Sequence, residues 1–373
     1  MKLSKCECQC AGFCAAFGKN MDQANYSWCK STTQEKRLKY FLENNKAVHA
    51  DESYIDHIKR KHGIARFYNV PKDIDEVEIV TFHFNLSKSK RLKETYQEWI
   101  ESLSTLGQYV KCYEIVFDDA EPEIENSVVI KAYSDKHCLW QKEPLLNLAF
   151  RNLEKHKKYF CWIDHDLVFK DRNWLKGSID KLKSGHDAVQ LFEKVSYLDK
   201  SGEILFDSVG RAKTMYDNRF NKKSRNPYGS PGGAWIARVD KLQDIFPTPT
   251  IITGSGDEWL AYALYGSTRI SPASKSTLEA YPKEVQDFLI SYVKRIGKNN
   301  LKISHQQGIC YHLWHGDIQN RQYMTRHKIL EKYNFDPRYD MFVNKDGILE
   351  LTGNKKGIEK DLLEYFTQRK EDG

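Results

Sequence analysis

Two aspartates, Asp164 and Asp166, close an apolar run in the segment YFCWIDHDLVF, residues 159–169. The run predicts a buried strand, and carboxylates at its end need a partner that offsets their lost hydration. Two carboxylates one residue apart suit a hard divalent cation such as Mn²⁺ or Mg²⁺, which also removes the repulsion between them. His165 points the other way in an extended chain. The alternative is that the aspartates cap an ordinary turn.

A glycine-rich segment and an acidic segment could complete such a site. In GSPGGAWIAR, Gly232 and Gly233 allow positive φ and a close approach of the backbone to a ligand, just before Trp235. In GSGDEWLAYALYG, Asp257 and Glu258 begin an apolar helix, where either could act as a general base. The alternatives are a surface turn for the glycines and simple stabilisation of a helix dipole for the acids.

The segment ICYHLWHGD places His312 and His315 three residues apart, beside Trp314. An imidazole close to a cation already held by two aspartates would complete a mixed oxygen and nitrogen site. A buried, hydrogen-bonded histidine is the alternative.

Five of the nine cysteines lie within the first 29 residues. Such density in a cytosolic protein indicates metal rather than disulfides, either Zn²⁺ or an iron-sulfur cluster, although the spacing matches no standard zinc pattern. A loose tail with accidental cysteines is the alternative. The candidate ligands are Cys6, Cys8, Cys10, Cys14 and Cys29. The remaining four are expected to be reduced core residues: Cys112, Cys138, Cys161 and Cys310.

Strands and helices alternate after a charged, broken stretch that ends near residue 75. The pattern predicts strands over 77–84, 110–117, 127–133 and 159–169, with amphipathic helices over about 92–106 and 141–156. Near-continuous apolar strands joined by helices predict an α/β fold with a mostly parallel sheet covered on both faces. Ligands bind beyond the carboxyl ends of such strands, which is where the two aspartates lie. We therefore expect a cysteine-rich N-terminal module and linker over 1–75 and a catalytic domain over 76–373.

Composition permits a globular protein with a substantial core, since 40% of the 373 residues are hydrophobic. The net charge of +7, from 58 basic and 51 acidic residues, favours an anionic partner without identifying it. No window approaches the apolar length of a transmembrane segment, and the N-terminus does not resemble a signal peptide. The protein is expected in the cytoplasm.

Taken together, these motifs resemble glycosyltransferases of the GT-A fold, in which they occur in the same order in the galactosyltransferase-like and polypeptide N-acetylgalactosaminyltransferase-like branches. The chain is also similar to a little-characterised bacterial and phage group. That second resemblance is carried by LWQKEPLLN at 139–147, HLWHGDIQNRQY at 312–323, YFTQRKED at 365–372 and the cysteine-rich lead. It covers the chain from Val77 onward and the N-terminal lead.

The resemblance implies a Rossmann-like sheet, a nucleotide sugar as donor, with a UDP-sugar favoured, and Mn²⁺ or Mg²⁺ as cofactor. Asp166 would bind the metal that holds the diphosphate, Asp164 would lie near the ribose or the metal's waters, and His315 would be the third ligand. The donor would also contact Gly232, Gly233 and Trp235.

The resemblance also assigns the base that deprotonates the acceptor to Asp257 or Glu258. This chain has GDE where related branches show strings like GED, so the choice between the two stays open. A metal neutralises the departing diphosphate while a carboxylate takes the acceptor's proton, which is the chemistry that sugar transfer requires.

The acceptor is predicted from a resemblance to DNA glucosyltransferases of the base J type, which act on a hydroxymethyl group of a pyrimidine. Three basic stretches could hold phosphates: KSKRLK at 88–93, RFNKKSR at 219–225 and KRIGKNNLK at 294–302. The cysteine module could be a DNA-facing zinc element in a bacterial or phage-infected cell. The alternatives are a cell-envelope glycan or lipid-linked acceptor, and a non-catalytic nucleic-acid-binding protein. A dinucleotide-binding dehydrogenase is excluded, because FHFNLSKSK lacks the glycine fingerprint after the first strand.

Overall fold

The computed structural model describes residues 53–220, 229–242 and 251–373, together with three short strands nearer the N-terminus. The chain divides into two compact units, residues 1–61 and 62–373. The boundary expected between residues 75 and 76 stays a prediction. The side chains of the proposed N-terminal metal site, at Cys6, Cys8, Cys10, Cys14 and Cys29, lie outside the described part of the chain.

The N-terminal unit contains an antiparallel sheet of two-residue strands. Its strands, in spatial as well as chain order, are β1 (Gln9–Cys10), β2 (Phe13–Cys14) and β3 (Lys19–Asn20). Helix α1 (Tyr54–His62) lies where the two units meet in sequence.

A seven-stranded sheet forms the centre of the large unit. Its strands are β4 (Val77–Phe84), β5 (Val110–Phe117), β6 (Val128–Ala132), β7 (Tyr159–Ile163), β9 (Ala188–Gln190), β12 (Ala234–Arg238) and β13 (Ile303–His305). They lie in the order β13-β9-β12-β7-β4-β5-β6. Neighbours are parallel except at β12, which is antiparallel to both β7 and β9. The predicted α/β class with a mostly parallel sheet is confirmed.

Helices accompany this sheet along the chain. They are α2 (Lys90–Ser102), α3 (Lys142–Arg151), α4 (Trp174–Lys183), α5 (Arg211–Phe220), α6 (Gly256–Tyr265), α7 (Pro272–Glu279), α8 (Lys283–Gly297), α9 (Lys328–Tyr333) and α10 (Ile358–Gln368). One face of the sheet and helices α3 and α6 to α10 share one continuous core that includes Trp162, Trp235 and Trp259. The four cysteines predicted as reduced core residues are free and buried. Among the described helices, none is long and apolar enough to cross a bilayer.

A second, four-stranded sheet lies in the order β11-β10-β14-β8. Its strands are β8 (Leu167–Phe169), β10 (Lys194–Leu198), β11 (Ile204–Val209) and β14 (Ile309–His312), and a separate hairpin joins β15 (Met341–Val343) to β16 (Leu349–Leu351). The chain therefore leaves the large sheet after Ile163 and enters the second sheet at Leu167. The two aspartates follow the carboxyl end of β7, as expected. The continuation of that strand to residue 169 was wrong, because the three polar residues at 164–166 turn the chain from one sheet to the other.

Candidate active site

A crevice of about 480 Å³ opens where the two sheets meet, at the carboxyl ends of β4 and β7. Its walls include four segments that the sequence singled out: the turn at 164–166, the glycine loop before β12, the start of α6 and the loop after β14. The C-terminal residues that follow α10 close one side. The crevice thus collects the motifs that the sequence singled out.

Asp166, His312 and His315 converge in this crevice. The Oδ2 atom of Asp166 lies 3.1 Å from Nε2 of His315 and 3.3 Å from Nε2 of His312. Ligand atoms of the three residues all lie within 4.8 Å of one another. The other carboxylate oxygen, Oδ1, is buried and has no hydrogen-bond partner among the described residues. A carboxylate with a free buried oxygen beside two imidazole nitrogens is a donor set that fits a divalent metal.

Strand register explains why His312 belongs to this cluster. In the antiparallel ladder of β14 and β8, His312 lies opposite Leu167, next to Asp166. The backbone N–H of Leu313 donates to the Asp166 carbonyl at 2.8 Å. The Nδ1 of His312 donates to the Leu313 carbonyl at 2.8 Å, which directs the lone pair of Nε2 at Asp166. Burial lowers the pKa of His312 to about 3, so the imidazole is neutral, as a metal ligand must be.

Arg321 and Glu371 flank His315 on its two ring nitrogens. The Arg321 guanidinium donates to Nε2 of His315 at 2.8 Å. Nδ1 of His315 lies 3.8 Å from Oε1 of Glu371, and Arg369 donates to that same oxygen at 2.7 Å. At 3.8 Å the Glu371 carboxylate is an electrostatic neighbour of the ring, and Nδ1 of His315 has no hydrogen-bond partner among the described residues. Arg321, Arg369 and Glu371 were not predicted as site residues from the sequence.

Asp164 faces a different partner from Asp166. Its carboxylate is 2.6 Å from the Nζ of Lys142, at the start of α3, and its backbone N–H donates to the Gly233 carbonyl at 2.7 Å. Burial raises the pKa of Asp164 to about 6, although the lysine opposes the shift. Asp164 lines the crevice beside the glycine loop but does not join the cluster with the two histidines.

Asp257 and Glu258, adjacent in sequence, differ in their partners. Oε2 of Glu258 accepts from the buried Arg211 at 2.9 Å. The carboxylate of Asp257 accepts through Oδ1 from the Glu258 N–H at 2.9 Å and lies against Gly232. A Cβ at position 232 would come within 1.9 Å of Oδ2 of Asp257, so a larger residue there would displace that carboxylate. Gly233 has φ of +89° and adds a second constraint.

Trp235 does not line the crevice. It is 2% exposed, and its Nε1 donates to the Pro231 carbonyl at 2.9 Å. The indole thus braces the glycine loop from the core side, and the donor contact expected for Trp235 stays a prediction.

Two further polar groups reach the crevice without having been singled out by the sequence. Glu143 is buried, with one carboxylate oxygen lacking a hydrogen-bond partner among the described residues, and burial raises the pKa of this residue to about 8. His83 lies 2.8 Å from Glu123 and 3.4 Å from Nε2 of His165. His165 therefore faces His83, while its two neighbours face Lys142 and the other histidines.

Comparisons with known proteins give fold-level similarities only. No family model matches the chain, and no curated protein matches it. Glucosyl-3-phosphoglycerate synthase from Mycobacterium tuberculosis, in a complex with Mn²⁺, UDP and phosphoglyceric acid, has 12% identity and a TM-score of 0.38, over 75% of this chain and 81% of that one. The catalytic domain of Drosophila beta1,4galactosyltransferase 7, with xylobiose, has 12% identity and a TM-score of 0.29, over 62% and 64%. Similarities this distant support no inference about activity. The activity is inferred from the residues of the crevice.

Proposed function

We propose that this chain is a metal-dependent glycosyltransferase that moves a sugar from a nucleotide diphosphate, with UDP favoured, to an acceptor hydroxyl. One observation carries the proposal: Asp166, His312 and His315 converge on one point of a crevice that also contains Asp257. The carboxylate of Asp257 forms no ion pair in the part of the chain that the structure describes. A metal site and an available base in one crevice are the two parts that the reaction needs.

Asp166, His312 and His315 would hold the metal, and nitrogen donors favour Mn²⁺ over Mg²⁺. The cation would neutralise charge on the diphosphate as the bond to the sugar breaks. Arg321, whose guanidinium lies against the same histidine nitrogens, adds a second positive charge on this side of the crevice. The departing diphosphate would therefore lie beside the cluster, within reach of Arg321.

Asp164 and the glycine loop would bind the nucleoside part of the donor. Gly232 and Gly233 bring bare backbone to the crevice, and Lys142 fixes the carboxylate of Asp164 at its edge. Lys142 therefore leaves Asp164 ordered and partly neutralised, which suits hydrogen bonding to a ribose better than holding a cation.

Asp257 is the base in this proposal. The acceptor hydroxyl would give its proton to Oδ2 of Asp257 as the new carbon–oxygen bond forms and the sugar–phosphate bond breaks. Glu258 is less suited, because its ion pair with Arg211 stabilises the carboxylate and occupies it. In this proposal the ion pair of Glu258 with Arg211 is the reason for choosing Asp257 as the base.

The acceptor we propose is the hydroxymethyl group of a 5-hydroxymethylpyrimidine in DNA. Phe206 and Tyr323 are 40% and 42% exposed at the edge of the crevice, where aromatic rings can stack on bases. Two of the three basic stretches support DNA less than the sequence suggested, and the side chains of the third, RFNKKSR at 219–225, lie outside the described part of the chain. Arg91 is paired with Glu98 at 2.6 Å, and KRIGKNNLK at 294–302 does not line the crevice.

The test incubates the purified protein with Mn²⁺, a panel of nucleotide sugars and DNA containing 5-hydroxymethylcytosine or 5-hydroxymethyluracil, followed by nucleoside mass spectrometry. A hexose or pentose added to the modified nucleoside supports both reaction and acceptor. Donor hydrolysis without modified DNA keeps the transferase and directs the search to envelope glycans and lipid-linked acceptors. If no nucleotide sugar is consumed while DNA is bound, the protein is a non-catalytic nucleic-acid-binding protein and the proposal fails.

A further inference from the structure

The side of the crevice near Asp257 contains a buried arginine without a counter-ion. Arg326 is 4% exposed and lines the crevice. Its guanidinium donates to the hydroxyls of Ser255 and, at 3.4 Å, Tyr365. Its Nε has no hydrogen-bond partner, and it forms no ion pair with a carboxylate in the described part of the chain. We call its surroundings the Arg326 pocket, formed by Ser255, Ala273, Ser274, Tyr323 and Arg326.

Two other buried arginines of this region are neutralised. Arg211 is 2.9 Å from Glu258, and Arg369 is 2.7 Å from Glu371. A guanidinium does not lose its proton in a protein, so Arg326 carries its charge inside the fold. Two hydroxyls and the Tyr323 ring, whose centroid is 5.0 Å from the guanidinium carbon, stabilise this charge only in part, and an anionic ligand would neutralise it.

A second source of positive potential faces the same pocket. Helix α7 begins at Pro272 with Ser271 as its N-cap, and its first-turn residues Ala273 and Ser274 line the crevice. The start of a helix favours negative charge through its dipole. In α7 the dipole is the main contribution, because Pro272 has no N–H and the Ser274 N–H donates to the Ser271 hydroxyl. Arg326 and the start of α7 both line the crevice, and the planar fork of a guanidinium matches the oxygens of a phosphate.

We propose that the Arg326 pocket binds a phosphate group carried by the acceptor. The inference rests on the proposed glycosyl transfer and names a feature of its second substrate. Ser255, which accepts from Arg326, lies two residues before Asp257, so a phosphate in the pocket leaves a hydroxyl of the same molecule close to the base. A phosphomonoester on a small acceptor and a phosphodiester in DNA share this chemistry.

The test is a calorimetric titration of inorganic phosphate into the full chain in EDTA, so that neither metal nor nucleotide sugar takes part. The wild type is expected to bind one phosphate. Arg326→Gln should weaken binding about tenfold or more, as expected when a charged hydrogen bond is lost, and Arg326→Lys should lie between the two. The matched control is Arg338→Gln, because Arg338 is 43% exposed, pairs with Asp336 and lies outside the crevice.

Two results would overturn the pocket: no phosphate binding by the wild type, or binding that Arg321→Gln removes and Arg326→Gln retains. The second result would place the phosphate at the metal side. If Arg326→Gln does not fold, the wild-type titration and Arg326→Lys still decide. The titration contains no nucleotide sugar, so these failures do not contradict the proposed glycosyltransferase activity. Conversely, phosphate binding without any sugar transfer would contradict the glycosyltransferase activity and not the phosphate pocket.

Competition against bound phosphate distinguishes the two sources. Displacement by glycerol phosphate at low concentration identifies a small phosphomonoester acceptor. Displacement by an oligonucleotide containing 5-hydroxymethyluracil identifies a nucleic-acid diester, and displacement by neither contradicts the assignment to an acceptor.

Discussion

The crevice contains two acidic pairs, and each pair divides in the same way. Asp164 is held by Lys142 while Asp166 faces two histidines, and Glu258 is held by Arg211 while Asp257 forms no ion pair in the described structure. Within each pair both residues are acidic and lie one or two positions apart in the sequence. Their different roles therefore follow from the side chains that contact them. An acid paired with a fixed cation orders the site, and an acid without one is available to a metal or a proton.

The largest effect is expected for Asp166. Asp166→Asn removes the only charged ligand of the proposed metal cluster, and Mn²⁺-dependent hydrolysis of the nucleotide sugar should fall by at least about a hundredfold. The exposed Asp346→Asn is the control, since Asp346 lies outside the crevice. Activity of Asp166→Asn close to that of the control would break the distinction between Asp166 and Asp164.

Substitutions at Asp257 and Glu258 should cause different defects, one in activity and the other in stability. Asp257→Asn should lower sugar transfer by about 10²–10⁴-fold, the usual contribution of a general base, with the free energy of unfolding nearly unchanged. Glu258→Gln should instead lower the free energy of unfolding by about 1–3 kcal/mol, because Arg211 stays buried without a counter-ion. Denaturant unfolding and transfer assays on both variants check this, and the reversed pattern would make Glu258 the base.

Glu143 predicts a pH dependence of stability. Its pKa in the folded state is raised by burial to about 8, above the value in the unfolded chain, so the folded state holds the proton more tightly. The free energy of unfolding should therefore fall as the pH rises from the ordinary glutamate pKa to about 8. Within that interval the decline is at most about 1.4 kcal/mol for each pH unit.

Glu143→Gln removes this ionisation and should flatten the decline. Chemical unfolding at pH 5 and pH 9 measures it, with the exposed Glu125→Gln as control. An unchanged slope in Glu143→Gln would show that Glu143 ionises without cost and pairs with Lys142 as Asp164 does.

The smallest effect concerns Trp235. Trp235→Phe loses the hydrogen bond to Pro231 and should reduce the free energy of unfolding by about 1 kcal/mol. The Michaelis constant for the nucleotide sugar should change little, because the indole does not line the crevice. A large increase in the Michaelis constant for the nucleotide sugar would instead show that Trp235 contacts the donor directly.

The local pattern of apolar residues was sufficient to predict the strands and helices that bury one continuous apolar face. The strands expected at 77–84 and 110–117 have the bounds observed for β4 and β5, and the acidic segment begins α6 as expected. The separate strand at 167–169 was missed because an apolar run on both sides of the aspartates has the same pattern whether its two halves belong to one sheet or to two. Only the pairing of β8 with β14 reveals the break.

The site residues that lie in recognisable sequence motifs were predicted. The residues that reach the site through contacts between distant parts of the sequence were missed. His312 joins the metal cluster through strand register, and Lys142 and Arg211 reach their acids across 22 and 47 residues of sequence. One signal was present: LWQKEPLLN, HLWHGDIQNRQY and YFTQRKED contain Lys142, Arg321 and Glu371, and all three segments meet at the crevice. Charged residues inside such motifs were candidates for the site.

The most direct test of the proposed metal centre is a Mn²⁺ titration followed by the EPR signal of the free ion, on the wild type and on Asp166→Asn, Asp164→Asn and His312→Ala. We expect one bound Mn²⁺ per wild-type chain, loss of binding in Asp166→Asn and His312→Ala, and a much smaller loss in Asp164→Asn. Equal losses in the two aspartate variants, or undiminished binding in His312→Ala, would contradict the proposed metal centre.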